Sequence, residues 1–338
     1  MIKALALFTL ALLFQAAQAQ KVSDITFYNG KTKLAGSLFI PAGAGKHPAI
    51  AVTHGSGKEG KSQAGYISLA NILAKAGFIV LIYDKRGVGG SDGQYVEVPD
   101  MNIPAGDLVQ AVRYLQTRAE VDKTRIGVYG HSQGGWVAPL AAIVNEDISF
   151  VVVACGGGVS IREQDLYSYR AQLKAKGYAA ERVDSAITFG RTLFTYLGSG
   201  IGYTVANAAY VQAAEQPWFD FFKQMGFTSQ LPPPSMLKEP VFSFFKAINY
   251  DPQSALRALN VPCLLILAGS DETVPSEKCK QLWEDAFYAG GHPGKLSVVA
   301  LRGENHYDFE NVNGVVRYKK TFGDAMVKWL NEKIKGAN

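Results

Sequence analysis

The sequence predicts an α/β protein in which a mostly parallel β-sheet is covered by helices on both faces. Short apolar runs alternate with helical patterns along most of the 338 residues. Continuous apolar runs, such as residues 78–83 and 262–268, are typical of strands that are buried on both faces. Because strands that alternate with helices pair in parallel, this rhythm indicates one large α/β core.

The predicted elements begin with a hairpin and continue as strand–helix pairs. Two strands at 24–40 flank Asn29-Gly30, a dipeptide typical of tight hairpin turns. Further strands are predicted at 48–53, 78–83, 125–129, 148–154, 262–268 and 296–301, and helices at 67–76, 104–118, 136–144, 277–289 and 315–334. The α/β core is therefore predicted to comprise residues 20–159 and 256–338.

Residues 160–255 interrupt the rhythm with helix-like patterns and no convincing buried strand, so we predict a helical cap inserted into the core. Seventeen of the 91 residues from 160 to 250 are aromatic, against 11% in the whole chain. Trp218 and Phe222 share one face of a predicted helix and are candidates to line an apolar acyl or aryl pocket. Packing of the cap on the core would use the same residues, and the sequence leaves both interpretations open.

The N-terminus is predicted to be a signal peptide of residues 1–19. Lys3 precedes the apolar run Ala4–Phe14, and Ala17-Gln18-Ala19 fits a small-x-small cleavage site. A membrane anchor is the alternative, but the apolar run is short of the roughly 20 residues that span a bilayer. We therefore expect an exported protein, periplasmic or secreted, without stable membrane insertion.

Charge and cysteine content exclude several classes of function. The chain has 34 Lys and Arg against 29 Asp and Glu, and no basic run is present, so nucleic-acid binding is not expected. Cys155, Cys263 and Cys279 form neither a disulfide framework nor a zinc pattern, and no metal site is predicted. A bridge between Cys263 and Cys279 is left open.

Residues 130–134, Gly-His-Ser-Gln-Gly, match the pattern G-x-S-x-G. The motif follows the predicted strand at 125–129 and precedes a helix. A sharp strand-to-helix turn raises the serine hydroxyl above the sheet, and small neighbours are needed because the backbone is crowded there. Ser132 is therefore the candidate nucleophile.

A serine nucleophile needs a base, and the base needs an orienting carboxylate. Asp271 follows the strand at 262–268, and His306 follows the strand at 296–301, so both lie at the sheet edge where ligands bind. His292 precedes its strand and is expected at the opposite edge. The rival acids are Glu272, Glu304 and Asp308.

The tetrahedral intermediate of acyl transfer needs backbone N–H donors for its oxyanion. One candidate is Gln133, directly after the nucleophile. The other comes from the loop 54–57, His-Gly-Ser-Gly, where we place the donor on Ser56, with Gly57 next in rank.

These residues resemble the α/β-hydrolase superfamily, in particular its exported bacterial esterases and acyl hydrolases. The similar segments are HGSG at 54–57, YDKRGVGGSDG at 83–93, GHSQGG at 130–135, GSDETVP at 269–275 and GENHYDF at 303–309. The resemblance implies an α/β-hydrolase fold, that is, an eight-stranded, mostly parallel sheet with an inserted helical cap. It also implies a Ser-His-Asp triad and no cofactor.

The predicted function is a serine hydrolase that cleaves a small-molecule carboxylic ester or thioester through an acyl-enzyme. An aminopeptidase-like peptidase is the alternative within the fold. Residues Gly55–Ser62 also match G-x-x-x-x-G-K-[ST], which would instead indicate a P-loop nucleotidase. A fold that only binds ligands is a further alternative, although such proteins usually lack a member of the triad, and here all three are present.

Overall fold

The computed structural model describes residues 20–97, 100–223, 230–239 and 244–336. Its central sheet has eight strands in the order β1-β2-β4-β3-β5-β6-β7-β8. Strands β1 and β4 each pair antiparallel with β2, and the five remaining strand pairs are parallel. The strands are β1 Lys21–Asn29, β2 Thr32–Ile40, β3 His47–Thr53, β4 Ile79–Tyr83, β5 Val121–His131, β6 Phe150–Ala154, β7 Cys263–Ala268 and β8 Leu296–Leu301. The predicted fold class is confirmed.

Eleven α-helices occur in the described part of the chain. Helices α2 and α3 pack together on one face of the sheet, and α1 and α11 pack together elsewhere against it. They are α1 Ala64–Lys75, α2 Asn102–Gln116, α3 Gly134–Val144, α4 Ile161–Ala175, α5 Ala180–Ser199, α6 Tyr203–Ala214, α7 Phe219–Lys223, α8 Phe244–Ala247, α9 Gln253–Ala258, α10 Ser276–Ala289 and α11 Lys320–Leu330.

The core consists of two apolar clusters, one on each face of the sheet. Along β4, Ile79 and Leu81 belong to one cluster, whereas Val80 and Ile82 belong to the other. Successive side chains of a strand point to opposite faces, so a strand with both faces covered is apolar throughout. This explains the continuous apolar runs in the sequence.

The predicted helix at 315–334 is wrong at its start. Residues 309–318 form a two-stranded antiparallel hairpin, β9 Phe309–Val312 and β10 Val315–Tyr318, and the helix begins at Lys320. Asn313 and Gly314 at the turn both have positive φ angles, as the tight hairpin turn requires. The Asn-Gly dipeptide carried the same hairpin signal here as at Asn29-Gly30.

The segment between β6 and β7, which contains the predicted cap 160–255, holds helices α4 to α9, and no strand occurs in its described part. Phe227 and Phe242, two of the 17 aromatic residues between 160 and 250, lie outside the described residues, as do residues 1–19, predicted to be a signal peptide. None of the described helices is long and apolar enough to cross a bilayer.

The three cysteines are buried and free, so the bridge that the sequence left open is not formed.

Candidate active site

Ser132 lies in a tight turn between β5 and α3. Its φ angle is +51°, a strained value for a residue other than glycine, and its side chain is buried. The turn brings the backbone of Gly134 so close that a Cβ on Gly130 would lie 2.1 Å from the Gly134 oxygen. Because no side chain fits there, the turn that presents the serine requires glycine at position 130.

The structure brings Ser132, His306 and Asp271 into one hydrogen-bonded chain. The Nε2 atom of His306 lies 3.0 Å from the Oγ atom of Ser132, and its Nδ1 atom lies 3.0 Å from Oδ2 of Asp271. The other carboxylate oxygen of Asp271 accepts backbone N–H groups from Thr273 and Val274 at 2.8 and 2.7 Å. The acid is thus held by two backbone donors, and it in turn orients the imidazole.

The rival residues are engaged elsewhere. His292 packs edge-on against Phe287, with ring centroids 5.4 Å apart, next to the start of β8. Glu304 is paired with Lys319 at 2.9 Å, and Asp308 accepts the hydroxyl of Tyr129 at 2.5 Å. His292, Glu304 and Asp308 thus each contact a partner outside the hydrogen-bonded chain of the triad.

A second histidine, His131, supports the backbone of His306. Its Nε2–H group donates to the carbonyl oxygen of His306 at 3.0 Å, and the Oδ1 atom of Asp308 lies 3.6 Å from the same nitrogen. Asp308 is fully buried. Burial of the Tyr129 hydroxyl, together with the negative charge of Asp308, raises the pKa of Tyr129 well above its ordinary value. Because Tyr129 therefore stays protonated, it remains a donor to Asp308.

The loop after β3 approaches the nucleophile, and a Cβ on Gly55 would lie 3.7 Å from that of Ser132. The N–H of Gly55 donates to the Tyr66 hydroxyl at 3.0 Å, and that of Gly57 donates to Oε1 of Glu97 at 3.0 Å. The N–H groups of Ser56 and Gln133, the two predicted oxyanion donors, bond to no acceptor among the described residues. Both are thus available to a substrate.

The contacts of the loop argue against the P-loop alternative, Gly55–Ser62. The ammonium of Lys61 binds Asp24 on β1 at 2.6 Å, and its backbone N–H donates to Asp84 at 2.8 Å. Carboxylates thus hold the N–H groups of Lys61 and Gly57, whereas a P-loop keeps its N–H groups for phosphate.

Comparison with known proteins agrees with this architecture. Residues 45–190 match the family model described as serine aminopeptidase, S33. A solved structure of Pyrococcus furiosus esterase Pf2001 superposes with a TM-score of 0.59 at 18% identity, covering 93% of this chain and 92% of that chain. The chain has the α/β-hydrolase fold.

The curated relatives with named activities include a thiohydrolase and an esterase. Thiohydrolase aneE of Aspergillus aculeatus is 23% identical over 280 residues, which cover 81% of this chain and 83% of that protein. Esterase EstD of Thermotoga maritima is 27% identical over 266 residues, which cover 77% of this chain and 54% of that protein. Together with the family model and the fold, these relatives indicate a hydrolase.

Trp218 and Phe222 of the hydrolase lie in the interior of the helical segment. Phe222 is fully buried and contacts the rings of Phe189 and Tyr169 at centroid distances of 5.0 and 6.1 Å, and Trp218 contacts Phe189 at 5.6 Å. These contacts favour the packing interpretation that the sequence left open, because rings enclosed by other rings present little surface to a ligand, and the substrate-binding role of Trp218 and Phe222 stays a prediction. The helical segment reaches the triad through Tyr167, whose hydroxyl donates to the carbonyl of Asp271 at 2.9 Å.

Sequence reasoning missed Lys85, which follows β4. Its ammonium donates to the carbonyl oxygens of Gly55 and Gly57 and, at 3.1 Å, to Oε1 of Gln133. Burial lowers the pKa of Lys85 to about 8, although the carboxylates of Glu59 and Glu97 oppose the shift. Its position directly after a parallel strand, at the edge where the triad lies, was the signal that could have identified it.

Proposed function

We propose that this hydrolase cleaves carboxylic esters or thioesters of small molecules through an acyl-enzyme on Ser132. The observation that carries the proposal is the hydrogen-bonded chain from Ser132 through His306 to Asp271 beside two unengaged backbone N–H groups. This arrangement matches the requirements of acyl transfer by a serine nucleophile. The esterase and thiohydrolase relatives support the substrate class.

In the first half of the reaction, Oγ of Ser132 attacks the acyl carbonyl carbon while Nε2 of His306 takes its proton. Asp271 holds the imidazole in the tautomer whose Nε2 is free to accept that proton, and it stabilises the imidazolium that forms. The carbonyl oxygen becomes an oxyanion, which accepts hydrogen bonds from the N–H groups of Ser56 and Gln133. Collapse of this intermediate breaks the bond to the alcohol or thiol, and His306 returns the proton to that leaving group.

In the second half, a water molecule attacks the acyl group on Ser132. His306 takes a proton from the water, the same two N–H groups hold the new oxyanion, and Ser132 leaves with the proton that His306 returns. The carboxylic acid is the product. No metal or organic cofactor takes part in this scheme, since every proton moves between the substrate, water and the triad.

A peptidase remains the second candidate function, because residues 45–190 match a family model described as a serine aminopeptidase. Amide and ester hydrolysis would use the same triad and oxyanion donors. A panel of p-nitrophenyl esters from acetate to decanoate, assayed beside aminoacyl-p-nitroanilides, separates the two functions. Faster turnover of the esters supports the proposal, and faster turnover of the anilides favours the peptidase.

The nucleophile is tested by covalent labelling. A fluorophosphonate should modify the protein at Ser132, and Ser132→Ala should lose the label and reduce kcat by about 10³-fold or more. Lys61→Ala is the control, because its ammonium binds Asp24 and not the triad. Loss of activity in Lys61→Ala together with binding of ATP would contradict the proposal in favour of a nucleotidase.

A further inference from the structure

Lys85 bonds to the loop that carries one proposed oxyanion donor and to the residue that carries the other. The carbonyls of Gly55 and Gly57 flank Ser56, and both accept from the Lys85 ammonium. The same ammonium donates to the side chain of Gln133, whose amide nitrogen also donates to the carbonyl of Glu97 at 2.9 Å. One cation therefore ties the loop after β3 to the residue that precedes α3.

The bond to Gly55 determines where the N–H of Ser56 points. The carbonyl of Gly55 and the N–H of Ser56 belong to one peptide group, and no cis peptide occurs among the described residues. In a planar trans peptide these two groups point in opposite directions. Because the carbonyl of Gly55 faces Lys85, the N–H of Ser56 faces away from it.

The neighbouring N–H groups cannot replace that of Ser56. Gly55 donates its N–H to Tyr66, whose hydroxyl donates to Oε2 of Glu59 at 2.6 Å. Gly57 donates its N–H to Glu97, which also accepts the hydroxyl of Tyr95. The loop is therefore held at both glycines, and Ser56 between them keeps its donor unengaged.

The charge of Lys85 also bears on the strength of that donor. A cation at the oxygen end of an amide draws electron density toward the oxygen, and this makes the N–H at the other end more acidic. Strengthening across linked hydrogen bonds is expected where the local dielectric constant is low. The charged or titratable side chains that face Lys85 are Glu59, Glu97 and His54.

We propose that Lys85 is a positioning residue that directs the N–H of Ser56 toward the oxyanion and strengthens it as a donor. This inference rests on the proposed function, since it assigns a role within the same acyl transfer. The ammonium of Lys85 forms its hydrogen bonds with Gly55, Gly57 and Gln133, not with Ser132 or His306. It therefore acts through the peptide group between Gly55 and Ser56.

The experiment compares Lys85→Met, Lys85→Arg and the wild-type enzyme on p-nitrophenyl acetate. Lys85→Met keeps the length of the side chain but loses the charge and the donors, so kcat should fall about 10- to 100-fold with KM changed less than threefold. The loss should be smaller than the 10²–10³-fold that removal of a whole oxyanion donor costs. Lys85→Arg should recover part of kcat, because a guanidinium can donate to both glycine carbonyls. Lys58→Met, on the exposed side of the same loop, should leave kcat unchanged.

A pH profile separates positioning from a merely structural role. The wild-type kcat should fall as the pH rises through about 8, because the ammonium of Lys85 loses its charge there. Lys85→Arg should lack this alkaline decline, since guanidinium stays protonated. This comparison needs no Met variant and is informative even where Lys85→Met fails to fold.

Two results would overturn the inference. One is a kcat of Lys85→Met within twofold of wild type, and the other is an alkaline decline that persists unchanged in Lys85→Arg. Either result leaves the proposed function intact, provided that the wild type hydrolyses the ester and is labelled at Ser132. A wild type that does neither contradicts the proposed function itself.

Discussion

At the residue scale, His306 is restrained from three directions. Its two ring nitrogens face Ser132 and Asp271, and its carbonyl oxygen accepts from His131. A general base must lie within hydrogen-bonding distance of the proton that it removes, and only a restrained ring holds that distance. The candidate base thus depends on a contact to its backbone as well as on the carboxylate.

We expect His306→Ala to abolish ester hydrolysis and fluorophosphonate labelling, because Ser132 then lacks a base. His292→Ala is the matched control, since that ring packs against Phe287 at the other end of β8 and should keep most of both activities. Initial rates and intact mass after labelling measure the two effects. An inactive His292→Ala with an active His306→Ala would show that the assignment of the base is wrong.

Asp165, on α4, is expected to make stability depend on pH. Burial raises the pKa of this carboxyl to about 7 from 3.8. Between these values the folded protein holds a proton that the unfolded chain has lost. The contribution of the protonated Asp165 carboxyl to the free energy of unfolding is therefore fully present below about pH 3.8 and is lost as the pH rises through about 7.

Asp165→Asn stays neutral at every pH and should avoid this loss. If the charged carboxylate destabilises the folded protein by about 1 kcal/mol at pH 8, its removal would raise Tm by roughly 2–4 °C at that pH. At pH 4, where wild-type Asp165 is still protonated in the folded state, the two proteins should melt alike. Calorimetry measures both, and Asp184→Asn, a change at an exposed carboxylate paired with Arg170, is the control. An equal shift of Tm at both pH values would rule out titration of Asp165 as the cause.

At the element scale, the helices between β6 and β7 are joined by an aromatic core of their own. Phe189 on α5 contacts Trp218 and Phe222 and also the ring of Tyr210 on α6. Aromatic pairs stabilise beyond the area that they bury, and the pair of Phe189 and Phe222 has the favourable edge-to-face geometry. Much of the aromatic excess in this segment thus serves packing.

Phe222→Ala should therefore act chiefly on stability. Removal of a fully buried ring costs about 3–5 kcal/mol, so the variant should melt lower and lose activity on acetate and decanoate esters to the same extent. Thr188→Ala, which removes one exposed hydroxyl of α5, is a control for mild perturbation of the helical segment. A selective loss on long or aryl esters with an unchanged Tm would instead support the predicted substrate-binding role of Trp218 and Phe222.

The element boundaries show which local signals were sufficient. Buried strands such as β4 and β7 were predicted within a residue, because a strand covered on both faces must be apolar throughout. The start of α11 was predicted five residues too early, since Val315 and Val316 fit either period over so short a stretch. The turn at Asn313-Gly314 makes residues 309–318 a hairpin. The Asn-Gly signal was used to predict the first hairpin, at Asn29-Gly30, but not this second one.

At the scale of the whole molecule, the sheet order gathers the site. The parallel strands β3, β5, β7 and β8 end at one edge of the sheet, so the loops that follow them meet there. These loops carry Ser56, Ser132, Asp271 and His306, which are up to 250 residues apart along the chain. One topological fact thus accounts for every member of the proposed constellation.

Export of the whole protein is also a proposal. It predicts that the signal peptide is cleaved after Ala19. Expressed in a bacterial host that has a periplasm, the protein should be recovered from that compartment with a mass that begins at Gln20. Deletion of residues 2–19 should leave it in the cytoplasm with its esterase activity intact, because the eight-stranded sheet and the triad are built from Lys21 onward. A periplasmic protein that keeps Met1 would indicate an anchor, and a full-length chain in the cytoplasm would contradict export.

By itself, the sequence determined the succession of strands and helices in the α/β core apart from the hairpin β9–β10, the turn at Ser132, and Asp271 and His306 as candidates. These features follow from local causes, namely the period of the apolar residues, the absence of side chains at Gly130 and Gly134, and the position of a polar residue directly after a strand. Tertiary structure decided which polar groups meet across the sheet edge. Lys85 lies 48 residues from Gln133 and 30 from Gly55 along the chain, and His131 lies 175 from His306. No local pattern encodes such contacts, because each depends on how neighbouring strands are aligned and on how far their loops extend over the site.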